Sequence, residues 1–252
     1  VGGKVRITAK WIDARADKIL WAKSYERDAR DVLVLQSAMA SAIADEINVR
    51  LTPDEHARLT RARKVIPAAY DAYLKGRFFI NRPSDENLRK AIALFEQAAK
   101  LDPGFAPAWS GLSDAYMWAG YNETVYTAAQ ARGKVKAAAE QALRLDDHSA
   151  EAHTTLAAFK CYYAYDWTGC EKQFRRAIAL NPNYAYAHDQ FGGVLAYQGR
   201  YAESIAQSRL AARLDPLSPE VLLGAVYAFA WQGDYAQARQ WVAHAAELDP
   251  DF

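Results

Sequence analysis

The chain has 252 residues, 51% of them hydrophobic, with 31 basic against 30 acidic side chains and a formal net charge of +1. That balance is globular rather than disordered, and a near-neutral sum without a basic stripe argues against nucleic acid as a partner. No apolar run approaches the roughly 20 residues of a membrane span, and no charged-then-apolar signal opens the chain, so a cytoplasmic location is expected.

Residues 1–50 carry their own pattern. Val5, Ile7, Ala9 and Trp11 alternate with Arg6, Thr8 and Lys10, the signature of a half-buried strand, and Ile19 to Tyr25 reads as its partner across the turn at 13–17. A helix follows with Leu35, Met39, Ile43 and Ile47 at fourfold spacing. One hairpin and one helix bury too little to stand alone, so this segment is expected to be the C-terminal remnant of an α/β domain. Thr52-Pro53-Asp54-Glu55 then predicts a connecting helix over 51–67, opened by a capping box and an N1 proline. A start at Val1 rather than methionine points to a processed or excised piece of a longer protein.

From residue 68 onward the chain repeats itself. Leu101-Asp102-Pro103, Leu145-Asp146-Asp147, Leu180-Asn181-Pro182, Leu214-Asp215-Pro216 and Leu248-Asp249-Pro250 form a recurring mark, spaced by 44, 35, 34 and 34 residues. Five residues before each stands an alanine: Ala98, Ala142, Ala177, Ala211 and Ala245. Three residues further back come Phe95, Ala139, Phe174, Ser208 and Val242, and four before those Ala91, Val135, Cys170, Ser204 and Ala238. Offsets of three and four place these on one helical face, small side chains let helices approach, and proline past the end stops the helix. A leading helix in each unit has its own phase: Trp109 with Leu112 and Tyr116, His153 with Leu156, His188 with Phe191 and Leu195, and Leu222 with Ala225 and Phe229. Gly199 and Gly233 are placed to close two of these helices. The first unit carries extra residues near Arg82-Pro83-Ser84, and the second has about ten between Tyr116 and Val135, where Thr127 and Gln130 predict a capping box.

These residues resemble the tetratricopeptide repeat family, with a large-Leu-Gly-Tyr first helix, an Ala-Phe-Ala second helix and a closing proline, over about Ala68 to Phe252. The resemblance implies a right-handed α-α superhelix of about five helical hairpins, with repeats near 69–104, 106–148, 150–183, 185–218 and 219–252. The run Trp21-Ala22-Lys23-Ser24-Tyr25-Glu26-Arg27-Asp28 is similar to the end of a TolB-like amino-terminal domain, which in bacterial regulators precedes such repeats and follows a winged-helix or class III cyclase domain. The implied role is a protein-interaction module of a bacterial signalling or transcriptional regulator rather than an enzyme. The alternative is a structural spacer or dimerisation arm of a cyclase or DNA-binding protein whose effector domain lies upstream of Val1.

A stacked array offers a concave surface lined by its first helices. The family's groove positions fall here on Tyr73, Arg77 and Ile80, then Ser110, Asp114, Met117 and Trp118. They continue with Thr154, Cys161 and Tyr162, with Tyr186, Asp189 and Tyr197, and with Glu220, Tyr227 and Trp231. That surface is aromatic and lightly acidic, suited to a peptide or protein ligand, with Asp114, Asp189 and Glu220 selecting against acidic partners. The Lys, Arg and Asn of a carboxylate clamp are mostly replaced by Tyr, Ser, Thr, Asp and Leu223, so C-terminal carboxylate capture is not expected.

No cofactor or metal is expected. His153 and His188 share the phase of Trp109 and read as helix packing, and no histidine pair stands at i, i+4 with a carboxylate as a zinc protease helix requires. Gly2-Gly3 and Gly192-Gly193 match no phosphate-cradling loop. Cys161 and Cys170 are too few for a disulfide scaffold and fit no zinc or redox spacing, which points to a reducing compartment. Cys170 reads as a small buried residue, Cys161 as one that reaches the groove.

Overall fold

The computed structural model describes residues 4–13, 18–46, 64–82, 84–121 and 125–248, and the chain divides into two compact units, residues 1–71 and 72–252. The expected linker over 51–67, its Thr52 capping box and Ile47 lie mostly or wholly outside the described residues.

In the first unit, β1 (Lys4–Asp13) pairs antiparallel with β2 (Lys18–Asp28) in a register that sets Ile7 opposite Tyr25, Ala9 opposite Lys23 and Trp11 opposite Trp21, with a bulge after Trp11. Val5, Ile7 and Ala9 are half-buried while Arg6, Thr8 and Lys10 are exposed, as alternation requires. On the exposed face Glu26 accepts from Lys4 at 3.2 Å and Arg6 at 2.6 Å, and the Thr8 and Ser24 hydroxyls meet at 2.7 Å. A 3-10 turn (Ala29–Asp31) leads into α1 (Val32–Glu46), which packs against β2. The expected fourfold stripe is buried only at its start: Leu35 is buried, Met39 half-buried and Ile43 exposed.

From residue 67 the chain forms helical hairpins. Their helices are α2 (Pro67–Ile80) and α3 (Asp85–Leu101), α4 (Ala106–Tyr121) and α5 (Ala128–Leu145), α6 (Ala150–Tyr162) and α7 (Trp167–Leu180), α8 (Ala185–Tyr197) and α9 (Tyr201–Leu214), α10 (Pro219–Gln232) and α11 (Tyr235–Leu248). Their ends are set locally. Ser84, Ser149, Asp166 and Ser218 accept a backbone N–H of the first turn, and Thr127 with Gln130 forms the expected capping box. Gly199 and Gly233 follow α8 and α10 at φ of 74° and 91°, which other residues adopt only with strain.

The alanine phase explains the stacking. Ala98, Ala142, Ala177 and Ala211 are wholly buried, as are Phe95, Ala139 and Phe174 three residues earlier. Small side chains bring the helices of adjoining hairpins together, while the phenyl rings of Phe95 and Phe174 fill the wider gaps, Phe174 stacking on Phe191 with centroids 5.4 Å apart. Val242, at the same phase in the last unit, is 49% exposed, since no further described helix packs on α11. Successive first helices α4, α6, α8 and α10 touch one another in turn, so the hairpins form an open stack and not a closed bundle.

Trp109, His153 and His188 occupy one structural position. Each donates a ring N–H to the carbonyl six residues earlier, on Pro103, Asp147 and Pro182, at 3.0, 3.0 and 2.9 Å. The two histidines also meet Gln173 and Gln207 of their second helices at 2.6 Å, so they tie helices together as expected.

The cysteines correct the sequence reading. Cys161 and Cys170 form a disulfide between α6 and α7, with Cα atoms 5.5 Å apart. Both are wholly buried, so Cys161 does not reach the groove. The hairpin reverses within nine residues, bringing the last turn of α6 onto the first turn of α7.

Replacing Phe174 by alanine empties a fully packed site and should cost about 3–5 kcal/mol. Urea unfolding followed by circular dichroism checks this, and a loss below about 1 kcal/mol would contradict the packing described.

Candidate functional site

Trp118, Tyr162, Tyr197 and Trp231 each lie fifteen residues beyond a closing mark, at 103, 147, 182 and 216. Because the first helices stack in one orientation, a repeated sequence position becomes a continuous line of rings. Trp118 meets Tyr121 edge-on at 5.8 Å, Tyr121 meets Tyr162 at 5.4 Å, Tyr162 meets Tyr197 at 6.3 Å, and Tyr197 meets Trp231 at 5.0 Å. Tyr227 stacks on Trp231 at 5.9 Å. Tyr121, Tyr197, Tyr227 and Trp231 remain between 41% and 51% exposed, an unusual density of accessible rings. Two hydrogen bonds join units two apart: Trp118 Nε1 donates to the Tyr186 hydroxyl at 3.3 Å, and the Tyr121 and Tyr197 hydroxyls pair at 2.9 Å.

This line of rings borders a cavity of about 490 Å³ that reaches from Ile80 and Leu88 of the first hairpin to Leu223 and Trp231 of the fifth. Its polar lining is Asp189, Gln190, Ser204 and Glu220. Gln190 Nε2 donates to Asp189 Oδ2 at 3.2 Å, whereas Asp189 Oδ1, Gln190 Oε1 and the Ser204 hydroxyl are buried without a partner among the described residues. Burial, reinforced by the Glu220 charge and slightly opposed by Gln190, pushes the Asp189 carboxyl up to about 8. Burial likewise raises Glu220, against the pull of Arg77. Gly224 faces Asp189, and a side chain there would overlap its carboxylate.

A second cluster, buried at Asp114 and partly exposed at Arg77, lies beside the cavity. Arg77 approaches Asp114 at 3.9 Å, with Tyr73, Tyr184 and Tyr186 close by. Burial works against the Arg77 charge, but Tyr73, Tyr184 and Asp114 outweigh it and hold the guanidinium above its usual value. Burial pushes Asp114 up to about 7 despite Arg77, with Glu220 and Glu151 adding to the rise.

Of the residues placed on the groove by sequence, Trp118, Tyr162, Asp189, Tyr197, Glu220, Tyr227 and Trp231 line the cavity, as does Ile80. Tyr73, Arg77, Asp114 and Tyr186 belong to the neighbouring cluster. Met117 is a correction: it is 1% exposed within the core of the first hairpins, because it stands one residue from Trp118 and so on a different face of α4. Ser110 and Thr154 are buried too, Thr154 donating to the Ala150 carbonyl at 2.8 Å. Sequence reasoning missed Tyr121, Gln190, Ser204 and Gly224. Tyr121 was signalled by the insertion after Tyr116, which lets α4 run to 16 residues against 13 in α6 and α8. Among the described residues, Asp146, Asp147 and His148 are the one group of three whose ligand-type atoms lie within 4.8 Å of one another, and all three are exposed at the loop before α6.

No protein-family profile matches the chain. It is 30% identical over 154 residues to a putative adenylate cyclase 3 of Rhizobium meliloti, covering 61% of this chain and 26% of that protein. Superkiller protein 3 of Schizosaccharomyces pombe is 25% identical over 193 residues, 74% of this chain and 13% of that protein. The chain thus spans about a quarter or less of the length of either relative. A thermophilic TPR protein of Thermus thermophilus superposes with a TM-score of 0.59 at 18% identity, covering 73% of this chain and 93% of that one. The fold of the array is therefore that of a tetratricopeptide-repeat solenoid, a stack of helical hairpins. No described helix is long and apolar enough to cross a membrane.

The raised carboxyls give the array a pH signature. A carboxyl neutral in the folded state up to about 8 but ionising near 3.8 when unfolded holds its proton only in the folded chain across that window. Stability contributed by Asp189, and by Asp114 up to about 7, is present below pH ~4 and is lost as pH rises toward 8. Asp189→Asn should flatten that decline by on the order of a few kcal/mol, read from urea midpoints between pH 4 and 8. An unchanged slope would contradict the burial assigned to Asp189.

Proposed function

We propose that the concave face of residues 72–252 binds an extended peptide or protein segment, and that the chain serves as the interaction module of a bacterial signalling or transcriptional regulator. The observation that carries this reading is the line of rings from Trp118 to Trp231, accessible along one side of a cavity of about 490 Å³. Trp and Tyr offer large contact areas with few rotatable bonds and a polar edge, the properties of interface anchors. A signalling setting is supported by the likeness to a putative adenylate cyclase 3 and by the TolB-like run from Trp21 to Asp28. The chain itself is assigned recognition, and no residue in it is assigned a catalytic role.

Peptides selected by display on the intact chain should lose at least about a hundredfold in affinity, the combined effect expected of several aromatic anchors, when Trp118, Tyr197 and Trp231 are together replaced by alanine. The circular dichroism spectrum should be retained. Unchanged affinity with retained fold would rule the groove out.

Exposed apolar side chains on α11, Tyr235 at 63% and Val242 at 49%, favour a second reading in which the last hairpin is a dimerisation arm. Sedimentation velocity should then show dimers that Val242→Glu abolishes; a monomer at all concentrations would overturn it.

A further inference from the structure

Resting on the groove reading above, we infer that the cavity is a selective pocket for a cationic side chain, a guanidinium above all, presented by the bound peptide. The cavity lining carries an imbalance of hydrogen-bonding groups. Among the described residues, Asp189 Oδ1 and Gln190 Oε1, both on residues only 7% exposed, have no partner, and the Ser204 hydroxyl lining the same cavity is likewise unpaired. Gln190 Oε1 can only accept, the Asp189 carboxyl can only accept once it is ionised, and the Ser204 hydroxyl can do either, so the lining around an ionised Asp189 is short of donors. A guanidinium brings five N–H donors and no acceptor, in a planar fork that fits a carboxylate.

Charge points the same way. Two carboxyls, Asp189 and Glu220, line the cavity, and among the described residues no basic side chain does. Arg77 is the basic group that acts on Glu220, and it is itself held at 3.9 Å from Asp114, outside the lining. Among the described residues no basic group pairs with Asp189, whose neighbours are Gln190 and Glu220. A buried carboxyl without a counter-ion is costly as an anion. An entering cation removes that cost by supplying the missing partner.

The walls complete the site. Trp118, Tyr162, Tyr197, Tyr227 and Trp231 present rings around the same cavity, and aromatic faces attract guanidinium and ammonium groups, more strongly where water is excluded. Gly224 keeps α10 clear of the Asp189 carboxylate, where any side chain would overlap it.

The test uses the intact chain with two acetylated, amidated pentapeptides, Ala-Leu-Arg-Leu-Ala and its citrulline twin, which keeps the shape and loses the charge. Calorimetric titration should show the arginine peptide binding at least about tenfold tighter. In a chain carrying both Asp189→Asn and Glu220→Gln that preference should vanish, with the thermal melt showing a folded array. N-methylguanidinium should compete with the arginine peptide only at far higher concentration. If it binds as tightly as the peptide, the occupant is a free small cation and the peptide-borne assignment falls. Equal affinity for both peptides overturns the cation pocket, while the groove survives if the triple aromatic variant weakens both. Binding of neither peptide overturns the cation pocket, and the groove reading is then judged by the display selection alone.

Discussion

A helical hairpin has one apolar side too wide to hide within itself, and in this array the surface that covers it is the next hairpin. Ala98, Ala142, Ala177 and Ala211 sit wholly buried at the contact, with Phe95 and Phe174 filling the space behind them. That requirement fixes the pitch of the stack, and the pitch fixes the groove. Every first helix must present the same face forward, so a side chain recurring once per unit becomes part of a continuous wall. The rings at 118, 162, 197 and 231 form a line for this reason, with no further device needed to align them.

The same geometry creates an electrostatic tension. Packed helices bury Asp114 and Asp189 on one side of the groove, and charges placed there are felt strongly because the surroundings screen them poorly. Asp114 shares its site with Arg77, while Asp189 lies among neutral or acidic neighbours. The free array keeps both carboxyls at raised values, where burial favours the protonated form.

Much of this is legible in the sequence because period and phase are properties of sequence. Marks at 34 or 35 residues and alanines five before them determine the hairpins, and counting along the first helix places Trp118, Tyr162, Tyr197 and Trp231 together. Depth is less legible. Asp114 and Trp118 share a helical face, yet one is 4% exposed and shielded beside Arg77 while the other lines the cavity. Pattern alone sets Met117 on the groove beside Trp118, although consecutive helical residues point about 100° apart. Ser204 reads in the sequence as part of a second helix's packing face, where the family's groove positions do not fall, yet it lines the cavity. The pairing of Cys161 with Cys170 depends on how sharply one hairpin turns, which their spacing of nine does not reveal.

The hydroxyl pair of Tyr121 and Tyr197 joins hairpins that are not neighbours, as does the bond from Trp118 to Tyr186. An ideal solenoid stores its stability in nearest-neighbour contacts alone, so it can fray one unit at a time. Here, loosening the fourth hairpin also strips a partner from the second. The inner wall thus acts as a tether across the curve, and stretching the coil would be resisted first by phenols and indoles rather than by the core.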